Sequence, residues 1–303
     1  MRQYIEYLIL GIVQGFTEFL PVSSSGHLSL FQHLFGYSGE SNLILTVLLH
    51  IGTLVAVFIV YHKIIWELIK ELFRMIGDIF TGKFTFKLSK MSFNRRMLLM
   101  LILTTAMLAV LVIPVKGYKL TDLAATVADG SHMLIVGLCF MFTAALLLTA
   151  YFLSNGGKHA KRHDNATVGD ALYIGGAQVI AAVFAGVSRS GSTIATGLIC
   201  GLKREYMVQY SFLLSIPAII AAALSEGKDA LSSGVDINWP AALIGMAAAV
   251  VCGVLAIKAI EWIVKKDHYN YFGYYCAVLG VLVVIMSIVE KTTGVSNIVE
   301  LFK

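Results

Sequence analysis

The chain has 303 residues, of which 58% are hydrophobic and only 14% charged, and its mean hydropathy is +0.81. That balance excludes a soluble globular domain and describes a polytopic membrane protein. The net charge of +5 comes mainly from loop-like segments, so it reads as membrane topology rather than nucleic-acid binding.

In chain order, the first segment, about 4–36, is apolar but interrupted at Pro21 and Ser23 to Ser25. Arg2 is its one basic residue, and with Glu6 and Glu18 it suits a retained helix better than a cleaved signal. Runs long enough to span a bilayer follow at about 43–61, 96–115, 132–153, 206–226, 239–263 and 270–290. Residues 63–95 mix Lys and Arg with aromatics and leucines, which predicts an amphipathic interfacial helix leading into a polar loop. The segment 168–202 is interrupted at Ala185-Gly-Val-Ser-Arg-Ser-Gly-Ser-Thr193. The four cysteines show no CxxC spacing, which argues against a zinc site or a disulfide framework and leaves buried thiols.

Each interrupted segment has two arms of roughly 15 residues. Such an arm reaches about 22 Å, short of the ~30 Å hydrocarbon core, so two re-entrant helix hairpins are expected. The two segments also resemble each other: Gln14 aligns with Gln178, and the same offset of 164 sets Ser24 on Ser188. Three full spans follow each. An odd number of crossings inverts the copy, so the reading is an all-α, inverted-topology repeat within one membrane domain, 1–303. Repeat 1 covers about 1–155 and repeat 2 about 168–303. Loop charges set the orientation. One side carries 15 Lys and Arg and the other 6, which predicts the first side in the cytoplasm and both termini outside. The first hairpin then enters from the outer face.

Gln14 and Glu18 are four apart and share a helix face. Pro21 ends that arm, and Ser23, Ser24 and Ser25 stand where the next helix starts, with His27 in its first turn. Hydroxyls, free N–H groups and a positive dipole end make an anion site. A carboxylate beside it is reconciled by a divalent cation bridging to phosphate oxygens. The plainer reading of Ser23 or Ser25 is helix packing, whereas intramembrane Glu18 and His27 point to function. The second hairpin supplies Ser188, Arg189, Ser190 and Thr193, a guanidinium among hydroxyls at a helix start, suited to phosphate. Arg189 is alternatively, or additionally, the ion-pair partner of Glu18. His50 lines the same cavity or is a hydrogen-bonded core histidine. Ser211, Ser215 and Pro217 suggest close packing or a kink.

At these residues the chain resembles the undecaprenyl pyrophosphate phosphatase family, UppP or BacA, the bacitracin resistance proteins. The first family motif stands as Gln14, Glu18, Phe19 to Ser24, Gly26 and His27. The second stands as Gly186-Val-Ser188-Arg189-Ser190-Gly-Ser-Thr193, with Ala185 in place of its proline. The resemblance implies hydrolysis of undecaprenyl pyrophosphate to the monophosphate and inorganic phosphate. It also implies lipid-carrier recycling for cell-wall synthesis, bacitracin resistance, and a site facing outward from the bacterial cytoplasmic membrane. In that setting Ser23, Ser24, Ser188, Arg189, Ser190 and Thr193 hold phosphate, and Gln14 with Glu18 holds Mg²⁺ or Ca²⁺. Glu18, His27, Ser24 and Arg189 are catalytic, with His27 as base or nucleophile and Ser24 as a second nucleophile candidate. The partners are a polyprenyl pyrophosphate lipid and the bilayer, without nucleic acid, and the apolar exterior is compatible with a monomer or a homodimer. The alternative from another class is a carrier that flips undecaprenyl phosphate through the same anion site, because inverted repeats with broken helices are transporter architecture.

Overall fold

A computed structural model describes residues 2–35, 40–85, 87–114, 120, 133–155, 165–184, 186–232, 238–266, 268–295 and 297. Ala185, much of the 116–131 loop and most of the 154–167 loop lie outside the described residues.

Among the described residues the regular structure is helical throughout. Two broken pairs stand where the interruptions fall. The first pair is α1 (Arg2–Phe19) and α2 (Ser24–Phe35), the second α6 (Val168–Val183) and α7 (Arg189–Ile199). At 1.5 Å per residue α2 and α7 reach about 16–18 Å, too short to cross alone. The remaining helices are α3 (Glu40–Phe80), α4 (Phe93–Ala106), α5 (Met133–Asn155), α8 (Arg204–Ser232), α9 (Trp239–Lys265) and α10 (Asn270–Thr293). All six are apolar enough to cross a membrane, α4 together with the 3₁₀ turns Met107–Val112 that extend it. The fold is therefore an all-α polytopic membrane protein.

Local chemistry sets several ends. Ser92 caps α4, Asn238 caps α9, and Thr167 with Asp170 forms a capping box on α6. Gly294 closes α10 in the left-handed conformation. The expected span at 43–61 runs on to Phe80, because the amphipathic segment continues the same helix beyond a kink at Tyr61.

Helix pairing brings the two breaks together. α1 packs along α9, and α6 packs along α4 and its 3₁₀ extension. α3 packs on α8 and α5 on α10. Small residues permit the tightest contact: a methyl on Gly11 would collide with the carbonyl of Gly245. A large apolar cluster, including Phe19, Tyr210 and Phe212, lies beneath the hairpin tips, with Phe19 edge-on to Phe212 at 5.3 Å.

Candidate active site

Each break ends in a serine-capped helix. Ser23 Oγ accepts from the N–H of Gly26 at 3.2 Å, and Ser188 Oγ accepts from the N–H of Gly191 at 2.9 Å. The caps therefore equate Ser23 with Ser188, one residue away from the Ser24–Ser188 match given by spacing. Ser23 has φ 72°, a left-handed conformation costing a non-glycine residue about 1–2 kcal/mol. The turn so formed points the next residue, Ser24, back at α1.

The two tips touch. The N–H of Gly186 donates to Ser25 Oγ at 3.4 Å, and Ser190 Oγ donates to the Leu20 carbonyl at 3.2 Å. A methyl on Gly26 would meet the Cα of Gly186 at 2.8 Å, so the contact needs glycine.

Glu18 is the centre of this junction, with its side chain only 4% exposed. Its Oε1 accepts from Arg189 Nη2 at 2.5 Å. Its Oε2 accepts from Ser24 Oγ at 2.7 Å and from Gln14 Nε2 at 2.9 Å, and His50 Nε2 lies 3.7 Å from it. Ser24 and Arg189, the first residues of α2 and α7, thus converge on the two oxygens of one carboxylate. Arg189 also donates through Nη1 to the Ser211 carbonyl at 3.3 Å. With Arg189 on one oxygen and Ser24 and Gln14 on the other, both oxygens of the buried carboxylate are paired, as a charge removed from water requires.

The other expected residues sit differently. His27 is buried and turned toward α10 and α5. Its Nδ1 lies 2.7 Å from the Ser23 carbonyl and its Nε2 2.7 Å from the Tyr275 hydroxyl, and its ring stands edge-on to Phe140 at 5.2 Å. Ser188, besides capping α7, lies 3.3 Å from Ser190 Oγ. Thr193 donates to the Arg189 carbonyl at 2.9 Å and lies 2.7 Å from Ser211 Oγ. Those hydroxyls are engaged within the second hairpin, with the first hairpin at Leu20 and with Ser211 of α8. Sequence reasoning missed Tyr275, which lies among the exposed tyrosines of α10 and resembles a membrane-interface aromatic.

The donor set bears on the expected cation. Gln14 Oε1 is buried without a hydrogen-bond partner while its Nε2 is bound to Glu18. That orphaned oxygen beside a carboxylate fits a hard cation that takes its other ligands from phosphate and water. Among the described residues no group of three or more His, Cys, Asp or Glu forms a cage for one.

Comparison with known proteins gives a consistent answer. The family model described as "Bacitracin resistance protein BacA" matches residues 7–282. The chain is 38% identical to "Undecaprenyl-diphosphatase" of Alkaliphilus metalliredigens over 93% of its length and 98% of the relative's. It is 38% identical to the protein of that name from Bacteroides fragilis, over 94% and 98%. The Methanosphaera stadtmanae protein of that name is 39% identical, over 95% of this chain and 100% of the relative.

Proposed function

Because the chain belongs to the bacitracin resistance protein BacA family, we propose that it hydrolyses undecaprenyl pyrophosphate to undecaprenyl phosphate and inorganic phosphate. This would recycle the lipid carrier and confer bacitracin resistance. The observation that carries the reading is Glu18, bound at one oxygen to Arg189 and at the other to Ser24.

That arrangement favours Ser24 as nucleophile. Glu18 Oε2 takes the hydroxyl proton as Oγ attacks the terminal phosphorus. The bridging P–O bond breaks, and the proton leaves Glu18 with the departing monophosphate. Water then gives a proton to Glu18 and attacks the phosphoserine. That proton returns to Ser24 Oγ as inorganic phosphate leaves. Arg189, half freed from Glu18 as Ser24 reacts, stabilises charge on the transferring phosphoryl oxygens. His27 acts by holding the first turn of α2 through the Ser23 carbonyl. Ser23, Ser188, Ser190 and Thr193 shape the tips that present N–H groups and hydroxyls to phosphate. Gln14 Oε1 and Glu18 would hold Mg²⁺ or Ca²⁺, which when bound offsets charge on the phosphate oxygens.

We read the chain as two inverted halves, about 1–155 and 168–303. The repeated serine caps and the α3–α8 and α5–α10 pairings support this. The family supports a bacterial cytoplasmic membrane location, and the charge bias supports a site toward the outer side. The carrier alternative has no comparable support, since a carrier needs no hydroxyl aimed at a carboxylate.

The test is phosphate release from undecaprenyl pyrophosphate by detergent-purified protein with Mg²⁺, Ca²⁺ or EDTA, beside Ser24→Ala, Glu18→Gln and Arg189→Ala. We expect metal-dependent release, lost by at least about 100-fold in each variant, and a phosphoserine trapped on Ser24 by acid quench. No release from folded wild-type protein sinks the hydrolase reading. Undiminished release from Ser24→Ala sinks the nucleophile.

A further inference from the structure

Helix α3 continues well after it has crossed. Its apolar stretch Ile44–Phe80 has 37 residues, about 55 Å at 1.5 Å each and nearly twice a bilayer core of about 30 Å. Tyr61, at φ −103° and ψ 17°, leaves helical geometry and divides the stretch into a span and an arm.

One guanidinium fixes where the arm goes. Arg95, in the first turn of α4, donates through Nε to Glu71 at 2.5 Å and lies through Nη2 2.7 Å from Asp78. Those acids are seven residues, about 10 Å, apart along the arm, so the arm lies across the start of α4. Asn94 adds a bond to Glu67 at 3.1 Å. Met75 and Ile79 line an open cavity of about 490 Å³ with Leu99 of α4. Because α4 begins a span at Phe93, the arm sits at the depth of the membrane interface.

The arm sorts its remaining side chains. Trp66, Ile69, Phe73, Ile76 and Phe80 recur every three or four residues and form one stripe. The stripe is open, with Phe73 69% and Phe80 86% exposed. Along its edge run Lys63, Lys70 and Arg74, all exposed. Lys70 Nζ lies 5.4 Å from the Trp66 ring centroid. Of the arm's acids, Glu67 meets Asn94 and Asp78 meets Arg95, while Glu71 holds Arg95 and lies 3.6 Å from Nη1 of Arg74, whose side chain stays 71% exposed. The free edge is therefore cationic beside an aromatic stripe, the pattern that seats a helix in an anionic lipid surface.

We propose that this face of the α3 arm is a docking surface for anionic phospholipid. The aromatic stripe rests at the acyl boundary, and Lys63, Lys70 and Arg74 hold headgroup phosphates. The surface is separate from the Glu18 site and does not depend on what that site catalyses.

The test uses full-length protein carrying Trp239→Phe and Trp262→Phe, which leaves Trp66 as the one tryptophan, in vesicles of brominated phosphatidylglycerol mixed with phosphatidylcholine. The mirror mixture has the bromine on phosphatidylcholine. Each basic residue near such a surface favours anionic lipid by up to roughly fivefold. We expect bromine on phosphatidylglycerol to quench Trp66 at least about twofold more strongly at equal mole fraction. The difference should vanish in K63Q/K70Q/R74Q while quenching itself persists. Equal quenching by the two lipids in the unaltered arm overturns the proposal. So does no quenching by either, the result expected if a second copy of the chain covers the face.

Discussion

His27 Nε2 and the hydroxyl of Tyr275 are 2.7 Å apart, across 248 positions of sequence. The His27 Nδ1 faces a carbonyl, which can only accept, so Nδ1 carries the proton and neutral Nε2 accepts from Tyr275. The two rings also stack, 5.7 Å between centroids and 6° from parallel. Tyr275 thus ties the first turn of α2, which carries Ser24, to α10.

Tyr275→Phe removes the hydrogen bond and keeps the stack. A hydrogen bond of this kind contributes about 1 kcal/mol, so phosphate release should fall by roughly three- to tenfold. Tyr275→Ala should fall further. If His27 only positions α2, His27→Ala still forms a phosphoserine, slowly. Acid-quench labelling of that variant checks this, and a variant with turnover but no labelled serine contradicts it.

The Glu18–Arg189 pair predicts non-additive stability. Removing one partner leaves the other uncompensated, a loss of up to about 3–5 kcal/mol where the pair is fully buried and less with Arg189 17% exposed. Removing both leaves none. E18A and R189A should each lower the apparent melting temperature in detergent, with the double variant no worse than either single one. Strictly additive losses would mean the two groups do not share their charge.

Much of this site is legible in the sequence because its polar groups interrupt apolar helices. Gln14, Glu18 and Arg189 have no reason to be in lipid-facing runs unless they meet one another, and the serine caps announce both helix starts. The rest depends on packing between distant helices. Tyr275 belongs to an exposed aromatic row with Tyr271 and Tyr274, and spacing does not distinguish the one that reaches His27. For His50 the sequence leaves two readings open, cavity or core; the tertiary placement of α3 brings its Nε2 to 3.7 Å from Glu18 while its Nδ1 lies 2.8 Å from the Thr46 carbonyl. Ser188 and Thr193 read as phosphate ligands by type, yet their oxygens cap a helix or bond backbone carbonyls, a choice set by local geometry.

Gly11 predicts how tightly the first hairpin must be held. A Cβ there would collide with the Gly245 carbonyl on α9, a backbone atom that cannot swing aside. G11A should force α1 away from α9 and displace Gln14 and Glu18, which lie one and two turns further along α1. Activity should fall more than tenfold, with a lower melting temperature. Gly77, with open space around its would-be Cβ, is the control, and G77A should change neither.

Gln178 carries the last prediction. It is 1% exposed, and both ends of its amide lack a partner. At the sequence offset of 164 it aligns with Gln14, whose amide donates to Glu18 one turn later. One turn after Gln178 stands Ala182, so no carboxylate at that position satisfies its amide. An unsatisfied buried polar group costs about 1–3 kcal/mol. Gln178→Met, similar in volume and free of strong polar atoms, should therefore raise the apparent melting temperature, by about 2–4 °C for each kcal/mol recovered. Phosphate release should stay unchanged, whereas Gln14→Met should impair it. A fall in stability for Gln178→Met would show that the amide is satisfied by a buried water, with a net contribution of the usual sign.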